Sequence, residues 1–459
     1  MVSSGRSSAL AWLVGAADDR GWRRTLVVIV VVALMLRVGL VLATPHFSPS
    51  GDAADFQRHA GSIALGYGYP PSGFASSGTP SAYRPPGFPY LLGGLYALFG
   101  IHVTAGRLLN VLLGVAAVVL LGYLGRAVWD RTLGLVVAAL AAVFPPLVAL
   151  DASLLSEPLL LVIVLALMLV LVALARDPAR VRWACAAGAL CALAALSRTV
   201  GIVLLLLSLG IVAFAAIGWR ARAVSALAII VAFLVVLAPW TLRNLDVFHV
   251  LVPISTQTGF TMAGEYNDVA GRDDQFQAVW QVPLQVPSVA AGVAPLYRRS
   301  RGVTEVQLDS RFRQLAVSYL ERHPSELFVA SWLNSLRMFD LGRNHTFTTG
   351  TAYREMGLPG RLWDLTNLSL QLAGAVAVIG AAARLSRLIR FRFGPWWLWA
   401  SGALMLVATI PVSGTPRYLA PAEPFLLLFV ALVVVATSRM LSQRRGAQIE
   451  SARISRGAA

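Results

Sequence analysis

The chain contains no lysine. All 38 of its basic residues are arginine, set against 22 acids, and only 13% of its 459 residues are charged. That is about half the usual share of a soluble domain, too little to cover a water-exposed surface. Cysteine is nearly absent. Cys185 and Cys191 stand six residues apart in one apolar segment, separated in a helix by about 9 Å of rise, too far for a disulfide. They read as small core residues and exclude a disulfide scaffold or a zinc spacing. The six histidines (His46, His59, His102, His249, His323 and His345) show no ligand spacing of the HExxH kind. No internal repeat and no low-complexity segment is visible. What the chain does have is apolar residues, 57% of the total, with a mean hydropathy of +0.70. Disorder is excluded by that content, and a polytopic membrane protein remains.

A helix needs about 20 apolar residues to cross a bilayer. Such runs are expected at 25–43, 104–124, 132–149, 157–175, 182–196, 200–218, 223–240, 364–383, 395–411 and 419–437, with a further half-span at 87–99. Pro145, Pro239 and Pro411 read as helix ends. The first run is too long for a cleaved leader and reads as an anchor. The expected fold is therefore all-α and polytopic, with about ten to eleven transmembrane helices. Its organisation divides into a cytoplasmic N-terminus (1–24), an N-terminal membrane domain (25–240) that includes a first outer loop (44–103), a long outer loop (241–363), C-terminal membrane helices (364–437) and a cytoplasmic tail (438–459).

With the N-terminus inside, 20 of the 38 arginines, Arg6 among them, fall in inner segments. The short outer turns hold only Arg198 and Arg417. This is the positive-inside bias. The formal charge of +16 is therefore mostly a topology signal, and no nucleic-acid partner is expected. In the long outer loop, Leu308, Phe312, Leu315 and Tyr319 recur at helical spacing near 305–322. That helix either lies along the membrane or packs on the membrane domain, and a second, carrying Phe328, Trp332 and Leu336, follows Pro324.

The first outer loop holds the chemistry. In GDAADF (51–56), Asp52 stands where an N-cap belongs, and Asp55 three residues on completes a capping-box-like pair. The same position suits a general base, because the helix N-terminus keeps a carboxylate ionised. Arg84, before two prolines in SAYRPPGFPYLLGGLYALFG (81–100), is held extended. Its guanidinium suits phosphate oxygens, or it anchors the loop by snorkelling. Arg198 interrupts an apolar stretch with only Ser197 and Thr199 beside it, and a charge at membrane depth is costly and tends to be functional or paired. Arg243 and Arg417 are further outer-side cations. Arg37, inside the first run, reads as a snorkelling residue. Asp151 and Glu157 bracket an outer turn, with Ser156 as N-cap and Pro158 in the first helical turn; Glu157 either starts a helix or orients a substrate. Glu423, between Pro421 and Pro424, reads as the partner of a nearby arginine.

The order of these motifs resembles a known family. A first span is followed by GDAADF, SAYRPPGFPYLLGGLYALFG, GRLLN (106–110), LLSEPLLL (154–161), LSRTVG (196–201), APWTLRN (238–244) and PRYLAPAEPF (416–425). This looks like the GT-C membrane glycosyltransferases, in the bacterial branch related to protein O-mannosyltransferases and aminoarabinose transferases. The stretch 265–305 matches nothing recognisable. The resemblance implies a GT-C-like fold and transfer of a sugar, with inversion, from a polyprenyl-monophosphate carrier to a glycan, lipid or protein acceptor. It places the enzyme in the bacterial cytoplasmic membrane with its active site on the extracytoplasmic side. The family's catalytic Asp opens the first outer loop, usually followed by Glu; here Ala53 follows Asp52, which leaves open whether Asp55 supplies the second acid. The implied roles are Asp52 and Asp55 in catalysis, Arg84, Arg198, Arg243 and Arg417 at the donor phosphate, and Tyr83, Glu157 and Tyr418 in positioning. No cofactor is expected, and a divalent metal is compatible but not called for. A transporter or lipid flippase, or a polysaccharide polymerase or ligase, are the competing readings.

Overall fold

The computed structural model describes residues 20–272, 277–299, 302–341 and 357–457. Arg6 and His345 lie outside the described residues. Among these residues the chain is helical throughout, with no strand beyond an isolated antiparallel bridge between Pro71 and Pro80.

Helices stand at all ten positions expected from apolar length, but not all are full spans. Six are long and apolar enough to cross a membrane: Arg20–Ala43, Val103–Val128, Glu157–Arg176, Trp219–Phe248, Gly360–Leu385 and Pro416–Arg444. A seventh is the broken pair Arg131–Val143 and Pro145–Asp151, bent by 61°. The bend lies at Phe144, whose extended backbone (φ −68°, ψ 112°) is what a residue before proline adopts. Val181–Ser197 and Trp396–Thr409 are shorter apolar helices, and the run expected at 200–218 becomes Thr199–Ala213, opening with a 3-10 turn. By length and composition alone, six or seven helices qualify as spans among the described residues, beside the shorter apolar helices at the remaining positions. Arg198 separates Val181–Ser197 from Thr199–Ala213, and Trp396–Thr409 stops two residues short of Pro411.

Other expectations are corrected as well. Pro239 lies inside the Trp219–Phe248 helix, not at its end; membrane helices tolerate such a proline when neighbouring groups satisfy the freed backbone. Cys191 is buried, but Cys185 is exposed. Arg37 does not snorkel. It is fully buried and pairs with the equally buried Asp151 at 2.8 Å, while its other nitrogens donate to the carbonyls of Ala33, Ala141 and Ala142. Asp151 is therefore an internal residue of the bundle and not a turn residue. Glu423 makes no ion pair among the described residues, and its Oε2 lacks a hydrogen-bond partner there.

The two ends of the bundle differ. At one, Arg439 pairs with Asp130 at 2.7 Å, Arg176 donates to the Ala127 carbonyl, and the Trp129 indole donates to the Arg392 carbonyl. The opposite end carries the first loop and the helices of 258–338. There Glu305–Arg322 begins with a capping box between Thr304 and Gln307 and buries Leu308, Phe312, Ala316 and Tyr319. The stripe expected to face membrane or bundle instead packs within its own domain, against Phe260, Val286, Val289 and Val293. Glu305 ties this domain to the first loop. Its carboxylate accepts from Ser81 Oγ, the Ala82 amide and Thr256 Oγ1 at 2.6–2.8 Å. The following helix, Glu326–Met338, leaves Phe328 and Trp332 exposed while burying Asn334 and Arg337.

Candidate active site

The first-loop helix Gly51–Ala64 starts on Gly51, whose φ of +53° favours glycine. Ser50 occupies the N-cap with no side-chain bond. Asp52 is thus a first-turn residue, not the cap, and its carboxylate is turned outward. The helix buries Ala53, Phe56, His59 and Ala60, with Phe56 edge-on to Phe88 of the Gly87–Phe99 helix at 5.1 Å. One turn apart, Asp52 and Asp55 share one face of the helix, beside His59 and Phe56.

Arg84 bridges the two acids. Its Nη2 donates to Asp52 Oδ1 at 2.5 Å and its Nε to Asp55 Oδ2 at 2.7 Å. The guanidinium lies over the rings of Phe56 and Tyr83, at 5.1 and 4.8 Å, a cation–π geometry. Arg417, in the 3-10 turn Pro416–Ala422, reaches the other oxygen of Asp52 through Nη1 at 2.8 Å and Glu157 Oε1 through Nε at 2.5 Å. Arg198, in the break between Val181–Ser197 and Thr199–Ile202, donates to the same Glu157 oxygen at 2.5 Å. The result is an alternating row, Asp55–Arg84–Asp52–Arg417–Glu157–Arg198. Tyr418 lies beside it, 5.3 Å from the Arg198 guanidinium and 5.6 Å from that of Arg417.

The electrostatics follow from the row. Burial opposes ionisation of Asp52, but Arg84 and Arg417, with Arg198 behind them, outweigh it and hold the carboxyl well below the usual carboxylate range. For Asp55 burial is likewise overcome, here by the hydrogen bond from His59 and the charge of Arg84. Burial works against the charge on Arg84, yet Asp52, Tyr83 and Asp55 together raise it, so it stays cationic. Tyr83 is pushed up by burial and keeps its proton.

Asp52 keeps 23% of its side chain exposed while Arg417 and Glu157 are almost fully enclosed. That exposure opens onto two cavities. The larger, about 370 Å³, is lined by Val200, Ile202, Val203 and Ala408 on its apolar side and by Asp52, Arg84, Arg198 and Arg417 on its polar side. Its volume suits a small-molecule site. The second, about 200 Å³, opens toward the outer helices and is lined by Tyr83, Gln257, Trp280, Asn334 and Arg337. Asp52, Arg84, Arg417 and Tyr418 line both.

Of the residues singled out in the sequence, Asp52, Asp55, Arg84, Glu157, Arg198 and Arg417 meet in one network, with Tyr83 and Tyr418 against it. Arg243 does not join them. It donates to the Ser81 carbonyl and to Asn244 Oδ1, both at 2.9 Å, and lies over Trp240 and Tyr69. It clamps the backbone before Arg84 and lines neither cavity. Among the described residues no three of His, Cys, Asp and Glu gather as a metal site would require, and the carboxylates of the row are engaged by arginines. The sequence reading did not find Gln257, Trp280, Asn334 and Arg337. Gln257, Trp280 and Asn334 are neutral, Arg337 is a lone cation on the Glu326–Met338 helix, and Trp280 falls in the stretch without a recognisable motif.

Residues 83–242, 160 of the 459, match the family described as dolichyl-phosphate-mannose-protein mannosyltransferase. No curated protein sequence matches the chain. Among solved structures, the apo oligosaccharyltransferase of Archaeoglobus fulgidus is similar with a TM-score of 0.55 at 13% identity, over 95% of this chain and 52% of that one. The same organism's AglB oligosaccharyltransferase, in complex with an inhibitory peptide and a dolichol-phosphate, gives 0.51 at 12% identity, again over 95% and 52%. This chain therefore spans about half the length of those structures. ArnT from Cupriavidus metallidurans, bound to undecaprenyl phosphate, aligns over 94% of this chain and 79% of that one at 14% identity, with a TM-score of 0.37, too loose a superposition to argue from. The oligosaccharyltransferase likeness shows the fold that the sequence resemblance implied, an all-helical, polytopic, GT-C-like membrane fold.

Proposed function

We propose that this chain is a membrane glycosyltransferase that moves a sugar from a polyprenyl-monophosphate carrier to an acceptor on the extracytoplasmic side, with inversion and with Asp52 as general base. One observation carries the reading. Asp52 is the carboxylate that lines both of two adjoining, arginine-edged cavities, one walled by Val200, Ile202, Val203 and Ala408, the other covered by the outer residues around Trp280. The first suits an isoprenoid phosphate, the second an acceptor. The matched family and the AglB structure, whose descriptions name dolichyl-phosphate carriers, support the choice of donor.

The chemistry follows from the row of charges. The acceptor hydroxyl enters from the loop side and gives its proton to Asp52. Its oxygen attacks the anomeric carbon from the face opposite the phosphate, and the bond between that carbon and the phosphate oxygen breaks, with its electron pair staying on phosphate. Arg84, Arg198 and Arg417 lie where that charge grows. Fixed cations of this kind are worth about 10²–10³ in rate each, and a positioned base about 10²–10⁴. Glu157 bridges Arg417 and Arg198 and so sets the phosphate clamp. Asp55 holds Arg84 in register, and Tyr83 and Tyr418 wall the junction. Arg243 has no place in this mechanism. The arginine-rich end of the bundle faces the cytoplasm in this orientation.

The test uses the full chain in lipid nanodiscs with labelled polyprenyl-phosphate sugar and an envelope extract as acceptor. Asp52→Asn is expected to lower transfer by at least about 10²-fold at unchanged yield and melting temperature. Retained transfer would remove Asp52 as the base. Use of a polyprenyl-diphosphate donor in place of the monophosphate would point to the polymerase or ligase class. A cysteine at the exposed Tyr67, labelled by an impermeant maleimide on intact cells, checks the face.

A further inference from the structure

Resting on the transferase reading, we infer that the acceptor is a neutral glycan, with a sugar ring against Trp280 and its hydroxyls on Gln257, Ser413 and Thr415 of the loop-side cavity. The cavity's charged side chains, Asp52, Arg84, Arg337 and Arg417, are engaged with one another or with backbone carbonyls, and its other polar groups are uncharged. Thr415 Oγ1 is buried without a hydrogen-bond partner. The side chains of Gln257 and Ser413 make no hydrogen bond among the described residues; both line this cavity where it meets the larger one, while Thr415 lines this cavity and not the larger. A hydroxyl can give and accept, and an amide offers both a donor and an acceptor, the complement a polyol requires. Buried groups left unpaired also discriminate strongly against ligands that cannot meet them.

The aromatic residues point the same way. Trp280 is held edge and face, with its indole N–H on the Thr261 carbonyl at 3.1 Å and its ring 5.7 Å from Phe260. It lines the cavity together with Tyr83 and Tyr418. A fixed aromatic face gives dispersion contact and a weakly negative surface to the C–H bonds of a pyranose. The charged group at the far end, Arg337, is occupied. It donates to the carbonyls of Gln277 and Ala278 and to Asn334 Oδ1, and Asn334 in turn donates to Glu265 Oε1 at 2.8 Å. Nothing there asks for an anionic acceptor. Nor do the described residues offer a strand edge on which an extended peptide would dock.

The experiment uses the full chain in nanodiscs and a diazirine-tagged neutral hexose tetrasaccharide. Photolabelling is expected on the peptides carrying Trp280 and residues 412–418. Untagged tetrasaccharide should compete, and a serine- and threonine-rich peptide of equal mass should not. Thr415→Val and Gln257→Ala, which leave the packing intact, should each cut labelling at least fivefold, and Trp280→Phe should cut it less than Trp280→Ala. Labelling should persist in Asp52→Asn. Competition by the peptide or a glycolipid alone, labelling elsewhere, or unaltered capture in both polar variants would overturn the inference. Transfer to peptide without glycan capture would defeat the glycan reading but keep the transferase. Glycan capture without any transfer would do the reverse.

Discussion

Asp52 carries a charge that burial alone would remove, and the reason is Arg84 on one oxygen and Arg417 on the other. A base so restrained is weak until its cations find another anion. In the proposed transfer a donor phosphate supplies one, so the basicity of Asp52 would rise as the carrier arrives. The linkage has a definite sign. A carboxyl depressed in the folded protein contributes stability above its ordinary value of 3.8 and loses it only as pH falls through the lower, folded value. The acid limb of the pH–rate profile for the free enzyme is accordingly expected below 3.8. In Arg84→Gln that limb should move up, and transfer should fall about 10²-fold. An unmoved limb would show that Arg84 does not set the charge of Asp52. At this scale much of the site was legible. Arg198 stands out because a charge interrupting an apolar run is rare; Asp52, Asp55, Arg84, Glu157 and Arg417 stand out by their places in outer loops and turns and by the order of the motifs around them. Their pairing was not legible, since Arg417 and Glu157 lie 260 positions apart. Arg37 and Asp151 were misread for the same reason: each looks isolated until the bundle brings them together. Gln257, Ser413 and Thr415 offered no contrast at all.

The elements place these side chains through a few close approaches. Gly87 opens the helix that follows Arg84, and a Cβ there would lie 2.9 Å from both the Leu196 carbonyl and Ser197 Oγ. That contact brings the loop carrying Arg84 to the break carrying Arg198. Gly87→Val should push the two apart and reduce transfer at least tenfold, with a weakened response to donor concentration. Gly94→Val, on the same helix but with open space around its Cβ, is the control and should match the parent. Equal activity of the two variants would dissociate the helix contact from the phosphate clamp. Apolar length announced the existence of these helices, but not where the spans stop. Val181–Ser197 and Trp396–Thr409 stop at the polar site, where backbone and side chains that lipid would not tolerate are needed.

Across the whole molecule, the all-helical membrane class was readable from composition, and the two-cavity arrangement was not, because the second cavity is built by residues from 83, 257–280, 334–337 and 412–418. The ionic network that joins the cavities holds three carboxylates and four arginines, Arg58 on Asp55 included, a formal excess of one positive charge among these groups. A glycosyl phosphodiester brings one negative charge to it. The phosphomonoester left after reaction carries between about −1.5 and −2 at pH 7, with a second ionisation near about 6. In the proposed reaction the phosphodiester balances the network's excess charge while the spent phosphomonoester overfills it, which favours its release. Inhibition by polyprenyl phosphate should weaken as pH rises through that ionisation, whereas a singly charged polyprenyl sulfate should inhibit equally across the same interval.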